Sequence, residues 1–139
     1  MSLPTRFRLK RRPDFRRCYA HGRRFVTSQW VLVVVVRGDT GPWRLGLSIS
    51  RKHGSAVVRN RAKRVLREFF RIHTDVIPRG LDIVVIARRG ASLRQVGLTE
   101  VCQELLPVLP RIRRFANQQD ASVCTSAAQP PVSSPRTNA

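Results

Sequence analysis

Residues 45–71 read LGLSISRKHGSAVVRNRAKRVLREFFR, and the hydrophobic period changes inside this stretch. Up to residue 50 the pattern alternates. Trp43, Leu45, Leu47 and Ile49 point one way, and Arg44, Gly46, Ser48 and Ser50 the other, as on a half-buried strand. Gly54 breaks the run, and Ser55 is a natural helix N-cap. Beyond it the spacing is helical. Val58, Ala62, Val65, Leu66 and Phe69 form one apolar stripe, and Asn60, Lys63, Arg64, Arg67 and Arg71 gather on the opposite side. A solvated helix usually mixes acids among its bases, because oppositely charged side chains one turn apart stabilise it. Between residues 59 and 71 Glu68 is the only acid. A face of unpaired guanidinium groups repels itself unless something polyanionic lies against it.

The composition leans the same way. The net charge is +19 over 139 residues, and of 27 basic residues only Lys10, Lys52 and Lys63 are lysine. Arginine presents a planar fork that grips phosphate at two points and stacks on bases. Such a field implies a polyanionic partner, with nucleic acid the first candidate and an anionic membrane surface the second. The length suits one domain. Cys18, Cys102 and Cys124 are odd in number and widely spaced, which suggests neither a disulfide framework nor a zinc site and fits a reducing cytoplasm. No apolar run follows the basic N-terminus, so no secretory signal is expected. The run Val31 to Val36 is too short to span a bilayer, which takes about 20 apolar residues.

Outward from the central stretch, Pro13 and Asp14 suit a first helical turn, and that helix is expected to end at His21 with Gly22 as its C′ residue. Phe15 and Tyr19 stand one turn apart on it, with Cys18 beside them. Residues 25–37, FVTSQWVLVVVVR, predict a strand buried on both faces. Residues 38–42 predict a turn, and LDIVVIAR at 81–88 another strand. Leu98, Val101, Cys102, Leu105, Leu109 and Ile112 have helical spacing, but Pro107 and Pro110 interrupt it. A helix to about Leu106 and then a kink or break is expected. Residues 116–139 are rich in Ala, Ser, Gln and Pro without periodicity and read as a disordered tail. The expected organisation is one RNA-binding domain over 1–115 and a tail over 116–139.

The order of elements, together with the segments LKRRPDFRRCYAHGRRF at 9–25, LGLSISRKHGSAVVRNRAKRVLREFFR at 45–71 and LDIVVIARRG at 81–90, strongly resembles the protein subunit of bacterial ribonuclease P. The resemblance spans roughly residues 7–115, and its signature is Arg59-Asn60-Arg61 followed by Lys63, Arg64 and Arg67. It implies an α+β, two-layer sandwich: a mainly antiparallel sheet with helices in α-β-β-β-α-β-α order and a left-handed crossover. It implies a partner, the family's catalytic RNA, and a substrate, precursor tRNA, whose 5′ leader is removed by endonucleolytic hydrolysis. In that family the RNA carries the chemistry, with Mg²⁺ bound mainly by the RNA. By resemblance Arg59, Asn60, Arg61, Lys63, Arg64, Arg67 and Arg71 would face the catalytic RNA. Phe15, Tyr19, Ser48, Ser50 and Lys52 would line a cleft for the single-stranded leader. No catalytic or metal-ligating residue is expected in the protein itself. His53 stands where the family usually has an aliphatic residue, and it reads as a tolerated loop residue.

Other classes fit less well. A protein-only nuclease needs carboxylates or histidines clustered on a metal, but the eight acids are scattered and His21, His53 and His73 share no ligand spacing. A ribosomal or other structural RNA-binding protein would use the Arg-rich helix but would not need the Phe15–Tyr19 pair. A DNA-binding module is third, since neither helix-turn-helix nor zinc-finger spacing is visible.

Overall fold

The two most apolar runs of the chain become the inner strands of one sheet. The computed structural model describes residues 4–91, 93–94 and 96–125. Its elements are α1 (Arg12–His21), β1 (Arg23–Val26), β2 (Trp30–Val36), β3 (Arg44–Ser48), α2 (Ala56–Ile72), β4 (Leu81–Ala87), α3 (Leu98–Leu105) and α4 (Val108–Thr125), with short 3-10 turns at Thr5–Phe7, Arg51–His53 and Thr74–Val76. The sheet order is β1-β2-β4-β3. β1 pairs antiparallel with β2 and β2 with β4, while β3 runs parallel to β4. Parallel neighbours need a long crossover, and α2 provides it. The fold is the mixed, mainly antiparallel α+β arrangement that the family resemblance implied.

Alternation splits the sheet into two unlike faces. Leu32, Val34, Leu45, Leu81, Ile83 and Val85 join the larger core, which α2, α3 and α4 complete with Leu66, Phe69, Val101, Leu105 and Ile112. The opposite face is smaller. Val33 and Val84 pack there with Leu9 and Cys18, flanked by Phe15, Val31, Val35 and Ile86. Among the described residues α1 covers part of it, together with Leu9 from the segment before that helix, and Arg44, Gly46, Ser48 and Asp82 are in phase with it. That half-covered face holds the candidate cleft.

Three expectations need correction. Residues 25–37 form a hairpin of β1 and β2, not one strand. Trp30 N donates to Thr27 Oγ1 at 3.1 Å, and Thr27 Oγ1 and Gln29 N both donate to Glu104 Oε1 at 2.9 Å. The turn is thus held by a carboxylate on α3, which no local pattern announces. Gly22 ends α1 with an ordinary extended backbone, φ −78°. Its glycine answers to space instead: a Cβ there would fall 2.2 Å from Val33 Cγ1 and 2.5 Å from the Cys18 carbonyl oxygen. The expected disordered tail is replaced over residues 116–125 by the end of α4, where Phe115 meets Phe25 edge-on and Ala116 is buried. Residues 126–139 lie outside the described residues. The break after Leu106 does occur. Pro110 fits because it falls in the first turn of α4, where a backbone N–H has no helical partner to lose.

Candidate nucleic-acid interface

α2 starts where expected, with Val58 N donating to Ser55 Oγ at 3.3 Å. Its buried stripe is Ala62, Leu66, Phe69 and Phe70. Val58 and Val65 are half-buried against the same core. Phe70 is missing from the predicted stripe; its ring packs 5.9 Å from Trp43 and 5.3 Å from Phe69.

The polar side of α2 is not uniform. Asn60 and Arg64 are exposed and Lys63 is half-exposed. Among the described residues their side chains have no hydrogen bond or ion pair, so they are open to a ligand. Arg59 Nε instead donates to the Gly54 carbonyl at 3.3 Å, and Arg61 to that of Arg94 at 3.4 Å. Each keeps its remaining N–H groups and its charge. Arg67 is half-buried, and burial first, then the charge of Arg8, lower its pKa from the ordinary value. Arg71 departs from the expected open row. It is paired with Glu68, Nε to Oε1 at 3.0 Å, and that hydrogen bond holds the Glu68 carboxyl below its usual range.

The cleft face is built around Gly46. A Cβ there would come within 2.6 Å of the Phe15 ring and 3.2 Å of Leu9. The small-residue face of β3 therefore admits a side chain of α1 before any external ligand. Phe15 is half-buried, whereas Tyr19 is 43% exposed, with the two ring centroids 6.4 Å apart. Phe15 is thus a packing residue that also forms a wall, and Tyr19 is the ring open to solvent. Between them Cys18 is fully buried. Its thiol is pushed up to about 11 by burial first and by the Asp82 charge second, so it stays protonated and acts as a small apolar group.

The structure brings Ser48, Ser50 and Lys52 together. With His53, Ile86 and Arg89 they line a hollow of about 360 Å³. His53 is more than a spectator of the loop. A carbonyl can only accept, so the 2.9 Å contact to the Arg88 oxygen places the proton on Nε2. In the neutral ring Nδ1 then accepts from Ser50 Oγ at 3.2 Å. The imidazole ties the turn carrying Lys52 to the end of β4. Phe15 and Tyr19 lie outside this hollow, on α1.

Sequence reasoning missed the other end of the same face. Asp82 is fully buried. Its Oδ1 accepts from Arg37 Nη1 at 2.7 Å and Arg44 Nε at 2.8 Å. Its Oδ2 accepts from Arg44 Nη2 at 2.9 Å and Arg17 Nη2 at 2.8 Å. Burial alone would push this carboxyl up; the hydrogen bonds from Arg44, Arg37 and Arg17 outweigh it and hold it below the usual range. The one available signal was an acid inside an apolar strand, LDIVVIA, since a buried acid demands partners. Asp14 is likewise paired, with Arg17 and Arg44. These carboxylates are engaged by arginine and do not fit a divalent cation. No group of three His, Cys, Asp or Glu suited to a metal occurs among the described residues. Among those residues no helix is long and apolar enough to cross a membrane.

Comparison with known proteins bears on this geometry. The sequence pattern of the family described as "Ribonuclease P" matches residues 3–113. The "Ribonuclease P protein component" of Oleidesulfovibrio alaskensis is 49% identical over 107 residues, covering 76% of this chain and 86% of that protein. The component from Halalkalibacterium halodurans is 37% identical and covers 76% and 93%. Among solved structures, the RNase P protein from Thermotoga maritima superposes with a TM-score of 0.68 at 38% identity, covering 76% of this chain and 96% of that one.

Proposed function

The chain belongs to the ribonuclease P protein family, and on that premise we propose how it serves the enzyme: α2 docks the catalytic RNA, and the α1–sheet cleft holds the single-stranded 5′ leader of precursor tRNA. The observation that carries this reading is the pairing of two open surfaces. Asn60, Lys63 and Arg64 are without side-chain partners among the described residues of α2 and its surroundings, and a solvent-facing Tyr19 stands on α1, with Ser48 at the end of β3 and Ser50 and Lys52 in the turn after it lining one hollow. Cations on a helix neutralise crowded phosphates, a sequence-independent contact. An aromatic face stacks on any base, and hydroxyls with a cation contact backbone oxygens. Together these suit leaders of varied sequence.

In this reading the chain binds and orients, and hydrolysis takes place on the RNA. Mg²⁺ belongs with the RNA, because the acids of the protein face are already paired with arginine. The protein alone, incubated with precursor tRNA and Mg²⁺, is expected to leave it intact, and addition of the RNA subunit should give one cut at the mature 5′ end. Specific 5′ cleavage by RNA-free protein would overturn the proposal.

The docking half has its own test. Arg64→Ala should weaken RNA-subunit binding and make its log–log salt dependence shallower, by about 0.7–0.9 for each phosphate that the side chain had neutralised. Arg71→Ala should change the slope less, because its charge already has Glu68 as partner. Circular dichroism should stay unchanged for Arg64→Ala, since that side chain is exposed. Equal slopes for wild type and Arg64→Ala would show that this face does not meet phosphate.

A further inference from the structure

α1 meets the sheet through two kinds of contact. The apolar ones are close: Phe15 over Gly46, Cys18 in one cluster with Val33 and Val84, and Gly22 against Val33. Apolar contact is non-directional and does not by itself fix how far a helix is rolled about its axis. Among the described residues, the ion pairs that join α1 to the sheet gather at one place. Arg17 Nη2 reaches Asp82 Oδ2 at 2.8 Å and Asp14 Oδ1 at 3.2 Å, and Arg44 Nη1 lies 3.5 Å from Asp14 Oδ2. Asp82 is itself immobilised by Arg37 and Arg44. Arg17 and Tyr19 are two residues apart, about 200° around the helix. The tie therefore grips one flank of α1, and Tyr19 projects from the other.

We propose that Asp82 is a positioning residue for the cleft. Through Arg17 it sets the roll of α1, and so the direction in which the Tyr19 ring is presented to a leader base. Asp82 is buried and touches no RNA; it acts through the helix. The inference rests on the reading of the cleft as the leader site.

Arg17→Gln is the variant of choice, because it removes the direct link from Asp82 to α1, leaves Asp82 with Arg37 and Arg44, and spares the longer Arg44–Asp14 contact. The holoenzyme is assembled with the RNA subunit. Affinities for precursor and mature tRNA, their salt dependence and the melting temperature of the protein are measured for Arg17→Gln, Tyr19→Ala and the double variant. The ratio of precursor to mature affinity should fall at least about fivefold in Arg17→Gln, the low end of what removal of a base stack costs. Affinity for the RNA subunit and the salt slope should be unchanged. The double variant should be no worse than Tyr19→Ala, since two changes acting through one stack are not additive. A merely structural role would lower the melting temperature and affect both tRNAs alike, which would overturn the inference. A shallower salt slope for precursor would also overturn it, because Arg17 would then be meeting phosphate itself. An unchanged ratio in Arg17→Gln beside a reduced one in Tyr19→Ala would refute the positioning role and keep the leader site. An unchanged ratio in Tyr19→Ala would refute the leader site, and the positioning role with it.

Discussion

Asp82→Asn is expected to destabilise the fold by about 3–5 kcal/mol, the usual cost of removing one partner from a buried ion pair. The reason is what the variant leaves behind. Arg37 and Arg44 have side-chain exposures of only 11% and 28% and are aimed at the missing charge. Asp39→Asn is the control: Asp39 is 58% exposed and also pairs with Arg37, and its replacement should matter little, because water screens an exposed pair. Acid offers an independent check. The folded-state pKa of Asp82 lies below the ordinary one, so its contribution is complete at neutral pH and is lost as pH falls through that lowered value. Urea unfolding at descending pH should therefore show wild type and Asp82→Asn converging only below the usual carboxyl range. A difference under about 1 kcal/mol at neutral pH would mean that the three arginines are adequately solvated without Asp82.

Tyr19→Ala should weaken holoenzyme binding of precursor tRNA by about 1–3 kcal/mol and leave mature tRNA untouched, as expected for the removal of one stack. Its melting temperature should stay close to wild type, because the ring is 43% exposed. Tyr19→Phe should be mild, since stacking uses the ring and not the hydroxyl. Phe15→Ala should behave differently. Phe15 sits against Gly46, so its removal should cost stability first, toward the lower end of the roughly 3–5 kcal/mol seen for Phe truncation because the ring is only half-buried. If Tyr19→Ala lowers both affinities together with the melting temperature, the ring is packing and not a binding surface.

The sequence was most legible where a local period carried the message. The alternation at 43–50, the break at Gly54, the Ser55 cap and the amphipathic 58–69 stretch were all readable because each depends on neighbours within a turn or two. The same holds for the break near Pro107 and for the α1 boundaries. The open cations of α2 were legible too, but not the difference among them, because the exposure of Arg64 and the partial burial of Arg67 depend on what packs beside the helix.

By itself, then, the sequence determined where the helices and the strands at 43–50 and 81–88 fall, the apolar faces and the polyanion-seeking charge of this protein, since these follow from residue type and spacing alone. The tertiary structure alone decided that residues 25–37 turn back as a hairpin, since the carboxylate that holds the turn lies 77 residues from Thr27. It decided that the small face of β3 receives Phe15, leaving Tyr19 as the solvent-facing ring. It also decided that Asp82 gathers arginines 38, 45 and 65 residues away. A buried carboxylate must find partners, but its own sequence neighbourhood of apolar strand residues says nothing of which ones. Only strand register, with Arg44 directly beside Asp82 on β3, and the placement of α1 above them choose those partners.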